Sequence, residues 1–123
     1  MDKVTFEKIV RKAVAAMPAS LRRRLENVEI CVAARPTARQ KRSCGVRSCD
    51  ALLGLYEGVP RIRRDSGYGP ALPDKITLFQ AEIQSVAPSA QDLPRIIQET
   101  VWHEFAHHFG FEEDDLDKYA GPP

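Results

Sequence analysis

Residues 92–109 constrain the fold of this chain of 123 residues more than any other segment. Asp92 is a suitable helix N-cap, Pro94 falls in the first turn, where a missing N–H costs nothing, and Gly110 is a natural helix stop. Between them, apolar side chains fall on most of the helical circumference: Ile96, Ile97, Val101, Trp102, Phe105 and Phe109. A helix that is apolar on most sides is buried, so we expect this segment in the core.

Three polar side chains interrupt this apolar segment at a spacing that suits a metal ion. His103 and His107 are four residues apart, so at about 100° per residue they lie about 40° apart on one helix face. Both imidazoles can then reach one tetrahedral zinc ion. Glu104, rotated by about 100° from His103, is placed to contact a water on the metal and to act as a general base. The alternative is a pair of core histidines bonded to carboxylates, which is costly unless every buried polar group finds a partner.

A catalytic zinc site needs a third protein ligand and one open position. After Gly110 the chain can reverse and bring a carboxylate back under the ion. Glu113 is the first choice, because it completes the pattern His-Glu-x-x-His-x-x-Gly-x-x-Glu, and Asp114 and Asp117 are the fallback ligands. His108 points about 100° away from His107 and is not expected to bind.

The rest of the chain predicts an α+β fold in one domain, residues 1–123. Residues 4–16 have the pattern of an amphipathic helix, and β-branched or alternating apolar segments predict strands at 28–32, 51–56 and 75–79. Polar segments with Pro and Gly predict loops at 35–47 and 61–74. We therefore expect a small mixed sheet of about three to four strands, packed on the N-terminal helix and on the buried helix of residues 92–109.

Cysteine content and hydropathy bear on where the protein works. No apolar run approaches the roughly 18 residues of a membrane span, and charged residues interrupt the N-terminal segment where a secretory signal is uniformly apolar. We expect a cytoplasmic protein with no membrane contact. Three cysteines, Cys31, Cys44 and Cys49, are an odd number, which argues against a disulfide framework. A second thiolate metal site, a redox switch or an inhibitory cap on the zinc are the alternatives to reduced, uninvolved thiols.

Charge is divided unevenly along the chain. Residues 1–64 contain 15 Lys and Arg against 6 Asp and Glu, whereas residues 65–123 contain 3 against 11. The loop at 35–47 concentrates the basic residues Arg35, Arg39, Lys41, Arg42 and Arg47, which can attract a weakly bound anionic partner. The alternative to an enzyme is therefore a non-catalytic, metal-stabilised binding module that contacts nucleic acid or a protein through this loop.

Residues 101–110 (VWHEFAHHFG) resemble the signature of a small bacterial family of zincin-like metallopeptidases. Residues 54–60 (GLYEGVP) and 75–79 (KITLF) also resemble that family, and the order of elements matches over nearly the whole chain. The resemblance implies a minimal zincin with His103 and His107 as zinc ligands and Glu104 as the general base. It places Glu113 where the family more often has aspartate.

Together these features predict a zinc-dependent peptidase whose substrate is a peptide or a protein. We expect an exposed sheet edge around residues 75–79 to hold an extended peptide by strand addition. Tyr56, Tyr68 and Tyr119 are the candidates to stabilise an oxyanion.

Overall fold

Five helices and three strands make up the described part of the chain, residues 1–45, 51–58 and 73–109, in a computed structural model. The helices are α1 (Lys3–Ala15), α2 (Ala19–Arg24), α3 (Ala38–Ser43), α4 (Gln80–Val86) and α5 (Leu93–Phe109), and a 3-10 turn (Ala90–Asp92) precedes α5. The strands are β1 (Val28–Ala33), β2 (Gly54–Glu57) and β3 (Asp74–Phe79). The predicted α+β class is confirmed.

The three strands form one mixed sheet in the order β1-β3-β2. Strand β3 pairs in parallel with β1 and antiparallel with β2, so that Ile76 lies opposite both Ile30 and Tyr56. The predicted substrate-binding edge at residues 75–79 is therefore wrong, because the central strand has a neighbour on each side. Strand order depends on long-range pairing, which the periodicity of a single segment does not encode. Among the described strands, β2 is the edge that lies beside α5.

Local structure departs from the sequence prediction in the segment 35–47, which contains α3 instead of being a loop throughout. A capping box begins this helix: the Thr37 hydroxyl accepts from the Gln40 N–H at 3.0 Å, and the Gln40 side chain accepts from the Thr37 N–H at 2.9 Å. The sequence signal for α3 is therefore Thr-x-x-Gln, which outweighs the basic composition. Strand β2 is also shorter at its start than the predicted 51–56, and α4 follows β3 where no helix was predicted.

Helix α5 lies in the core, which confirms the predicted burial. Its fully buried side chains pack against α1 and against one face of the sheet: Leu93, Ile97, Val101, Trp102 and Ala106 from α5 meet Phe6, Val10, Ile76 and Leu78. The buried Gln98 amide donates to the Ala13 carbonyl at 2.7 Å and ties α5 to the end of α1. Among the described helices, none is long and apolar enough to cross a membrane. The cytoplasmic location and the single domain stay predictions.

Candidate metal centre and adjoining cleft

His103 and His107 lie together on the exposed strip of an otherwise buried helix. Both residues are exposed, whereas Trp102, Phe105 and Ala106 on the same turns are buried. The two imidazole centroids are 6.0 Å apart and their planes are tilted by 48°. Zn–N bonds of about 2.1 Å in tetrahedral geometry place two such centroids about 5 Å apart. The observed centroid separation is about 1 Å longer than this value, so the pair is near enough for a shared zinc ion once the side chains turn toward it.

The remaining predicted ligands lie outside the described residues. Glu113, Asp114 and Asp117 all follow residue 109, so the third ligand stays a prediction. Within residues 1–45, 51–58 and 73–109, no three His, Cys, Asp or Glu side chains are grouped to hold a metal. A group of three would need a ligand besides His103 and His107, and the predicted candidates for it all follow residue 109.

The two described cysteines lie on other elements than the histidine pair. Cys31 is partly buried on β1 and Cys44 is exposed after α3, and neither is in a disulfide. Burial, reinforced by the neighbouring Glu29 carboxylate, raises the pKa of the Cys31 thiol. A raised pKa disfavours the thiolate that metal binding and redox chemistry require. Cys49 lies outside the described residues.

The Glu104 carboxylate is held in place from the sheet. Its Oε1 atom accepts a hydrogen bond from the backbone N–H of Tyr56 on β2 at 3.2 Å. Burial raises the pKa of Glu104, and it outweighs the lowering effects of the Tyr56 N–H and of His107 and His103. The carboxylate is thus a half-buried, anchored group next to the exposed histidines, with a greater affinity for a proton than a solvent-exposed glutamate has.

Tyr56 connects this carboxylate to two further groups that the sequence did not reveal. Its hydroxyl donates to Oδ2 of the buried Asp74 at 2.6 Å, and its ring stacks on His108 with the centroids 3.9 Å apart. Because the hydroxyl is turned toward Asp74, Tyr56 is poorly suited to the predicted role of oxyanion stabiliser. The other two candidates, Tyr68 and Tyr119, lie outside the described residues. Only the pairing of β2 with β3 brings Tyr56 to Asp74, so no local pattern could have found this contact.

A cleft of about 510 Å³ opens beside His103 and Glu104 and continues toward the start of α5. Arg95 and Glu99, an ion pair with a 3.3 Å separation, line it farther along the helix. The remaining wall is mainly aliphatic and is formed by Leu52, Leu53, Val86, Pro88 and Ile96, together with Gly54 and Thr100. A concave, apolar surface with a few polar groups at one end is typical of a ligand site.

The backbone of β2 presents polar groups toward the α5 side of the sheet. The Phe79 N–H donates to the Leu53 carbonyl at 2.9 Å. In an antiparallel pair, alternate residues face the partner strand. The polar groups of Gly54 and Tyr56 therefore point away from β3, and the Tyr56 N–H is the one that Glu104 accepts from. Gly54 lines the cleft but is itself buried against α5.

Comparison with known proteins identifies the family. A family model described as zincin-like metallopeptidase matches residues 25–121, so the chain belongs to that family. A solved structure of a conserved hypothetical protein from Thermus thermophilus is similar, with 23% sequence identity and a TM-score of 0.54, over 95% of this chain and 99% of that one. At this identity the likeness supports the fold alone. No curated protein matches the chain.

Burial of Glu104 is expected to make the metal-free protein less stable as the pH rises. The folded-state pKa lies above the unfolded value of about 4.3, so between the two pKa values the unfolded chain releases a proton that the folded chain keeps. The free energy of unfolding therefore falls with rising pH through this window and levels off above it. Glu104→Gln can still accept from the Tyr56 N–H but carries no charge, so it lacks this fall.

The measurement is urea unfolding of both proteins in the presence of a chelator, from about pH 4 to about pH 7. Because both proteins keep every histidine, the difference between them isolates Glu104. A difference in unfolding free energy that does not change with pH would show that burial does not perturb this carboxyl.

Proposed function

We propose that this zincin-like metallopeptidase hydrolyses peptide bonds with a zinc ion held by His103 and His107 and with Glu104 as the general base. Membership of the family supports the peptidase class and zinc binding in general. The observation that carries the finer assignment is the anchored carboxylate: Tyr56 holds Glu104 beside two exposed histidines at the end of a cleft. Glu113 is the proposed third ligand, with Asp114 or Asp117 as fallback.

Zinc bound by these histidines supplies Lewis acidity that polarises the scissile carbonyl and makes a water molecule acidic enough to lose a proton near neutral pH. Glu104 takes that proton and later delivers it to the nitrogen of the leaving amine as the C–N bond breaks. The bond from the Tyr56 N–H fixes Oε1, which leaves Oε2 to carry the proton. The raised pKa of Glu104 suits this role, because a base that also serves as an acid works best with a pKa near the operating pH.

The substrate proposed for this site is an extended peptide segment that lies in the cleft beside β2. The cleft runs beside β2 and ends at His103 and Glu104, so an extended peptide that lies in it reaches the proposed metal site. A substrate side chain that enters the cleft contacts the aliphatic wall, which favours an apolar residue next to the cleaved bond. Val86 is 46% exposed in that wall, and an exposed apolar residue in a concave surface is a natural contact for such a side chain.

The metal assignment is tested by elemental analysis of three purified proteins. The wild type and His108→Ala are expected to contain one zinc per chain, and His103→Ala is expected to lose it. His108 is the matched control, because it is a histidine of the same helix but stacks on Tyr56. Full zinc content in His103→Ala would contradict the assignment. Loss of zinc from both His103→Ala and His108→Ala would contradict it as well.

The role of Glu104 is tested by the variant Glu104→Gln with a library of fluorescence-quenched peptides that contain aliphatic residues. This variant is expected to retain zinc and to lose about 10²- to 10⁴-fold in kcat, the usual contribution of a general base. Cleavage by Glu104→Gln at the wild-type rate would rule out the proposed base.

The alternative function, a non-catalytic module that binds an anionic partner at the loop 35–47, has weaker support. Lys41 lies 4.0 Å from Glu82 of α4 and is largely buried, so part of the basic charge is compensated within the protein. Arg39 and Arg42 are exposed on α3 and leave room for a weak anionic contact. Tight binding of nucleic acid with a steep salt dependence, in a protein that cleaves no peptide, would favour this alternative.

A further inference from the structure

Gly54 lies where β2 packs directly against α5. A Cβ atom at this position would be 2.7 Å from Cγ2 of Thr100, 3.2 Å from the Thr77 carbonyl oxygen and 3.4 Å from Cδ2 of Leu78. Ordinary contacts between carbon atoms are about 3.5–4.0 Å, so any side chain here forces the strand and the helix apart. Among the described glycines only Gly45 has a positive φ. Position 54 therefore requires glycine for lack of space and not for backbone conformation.

Thr100 cannot easily turn its methyl group away from Gly54. Its hydroxyl donates to the Ile96 carbonyl at 2.7 Å, and the residue is buried. That hydrogen bond selects one side-chain rotamer, in which Cγ2 faces Gly54. The contact between Gly54 and Thr100 is thus a fixed spacer between β2 and α5.

The same spacer sets the distance at Glu104. From Gly54 to Tyr56 the strand advances about 6.6 Å, and from Thr100 to Glu104 the helix advances about 6 Å. Strand and helix are therefore in register over two successive contacts: Gly54 with Thr100, then the Tyr56 N–H with Glu104. The second contact is 3.2 Å long, which is at the upper end of the normal range for an N–H···O hydrogen bond. Even a small movement of β2 away from α5 therefore breaks it.

We propose that Gly54 and Thr100 are positioning residues for the catalytic base: their close contact keeps β2 near enough to α5 for the Tyr56 N–H to orient Glu104. This inference rests on the proposed function of Glu104. His103, His107 and Glu104 all project from α5, so widening the gap removes the Tyr56 N–H that orients the Glu104 carboxylate and leaves the metal ligands in place. The effect on turnover is therefore separable from the effect on zinc content.

The test compares Gly54→Ala with the double variant Gly54→Ala/Thr100→Ser in zinc-loaded protein. Gly54→Ala is expected to keep one zinc per chain and to lose about 10- to 100-fold in kcat, the usual effect of misplacing a catalytic group by about 1 Å. Serine at position 100 keeps the hydroxyl bond to Ile96 and removes the obstructing methyl group, so the double variant is expected to recover most of kcat. Gly58→Ala is the matched control, because a Cβ there meets nothing closer than 3.4 Å.

A second measurement follows the Tyr56 amide proton by NMR in the isotopically labelled proteins. Its resonance is expected to move upfield in Gly54→Ala and in Glu104→Gln, which replaces the charged acceptor, and to return in the double variant. An unchanged kcat, an unmoved amide resonance, loss of zinc from Gly54→Ala or failure of the serine to restore kcat would each overturn the proposal. If Gly54→Ala does not fold, the double variant must fold and turn over, and its failure would also overturn the proposal.

Different outcomes contradict the proposed function and the positioning role of Gly54. A wild-type protein that binds zinc and cleaves no peptide contradicts the proposed function, whereas the amide resonance still reports whether Gly54 sets the contact with Glu104. Wild-type activity together with an unmoved resonance contradicts the positioning role alone.

Discussion

The structure depends on the burial of the apolar side chains of α5 in the core. One strip of the same helix stays exposed. Val101, Trp102 and Ala106 are almost fully buried, whereas His103 and His107 are exposed on the same two turns. Each fully buried large apolar side chain contributes about 1.5–3 kcal/mol, so the helix has little freedom to rotate. Its rotation fixes which residues face outward, and the core therefore determines where the two imidazoles lie. The site is held by the packing on the far side of the helix.

The second structural element of the site is the short edge strand β2. An edge strand has N–H groups without a strand partner, and one of these, from Tyr56, holds Glu104. The same residue is bonded through its hydroxyl to Asp74 on the central strand. Glu104 is thereby linked through two hydrogen bonds to the middle of the sheet, and the half-buried carboxylate has a partner that offsets part of its desolvation. Gly54 allows the strand to approach the helix closely enough for this link to form.

Local features of the sequence predicted much of this structure. The apolar periodicity of residues 92–109 predicted a buried helix, because helical spacing is a property of neighbouring residues. Long-range features were not predictable: the edge at 75–79 was wrong because β3 pairs on both sides, and the bond between Tyr56 and Glu104 joins residues 48 apart. The helix α3 was missed although Thr37 and Gln40 form a recognisable capping box, because the basic composition around them suggested a loop. The roles of His103, His107, Glu104 and Glu113 stay predictions from motif and geometry.

The most direct test of the central claim is X-ray absorption at the zinc edge of the purified protein. We expect one zinc per chain with two imidazole nitrogens at about 2.0–2.1 Å, oxygen ligands in the remaining positions and no sulfur. Replacing either His103 or His107 by alanine is expected to abolish the zinc signal. A zinc bound through thiolate sulfur at about 2.3 Å, or a protein that takes up no zinc, would contradict the central claim.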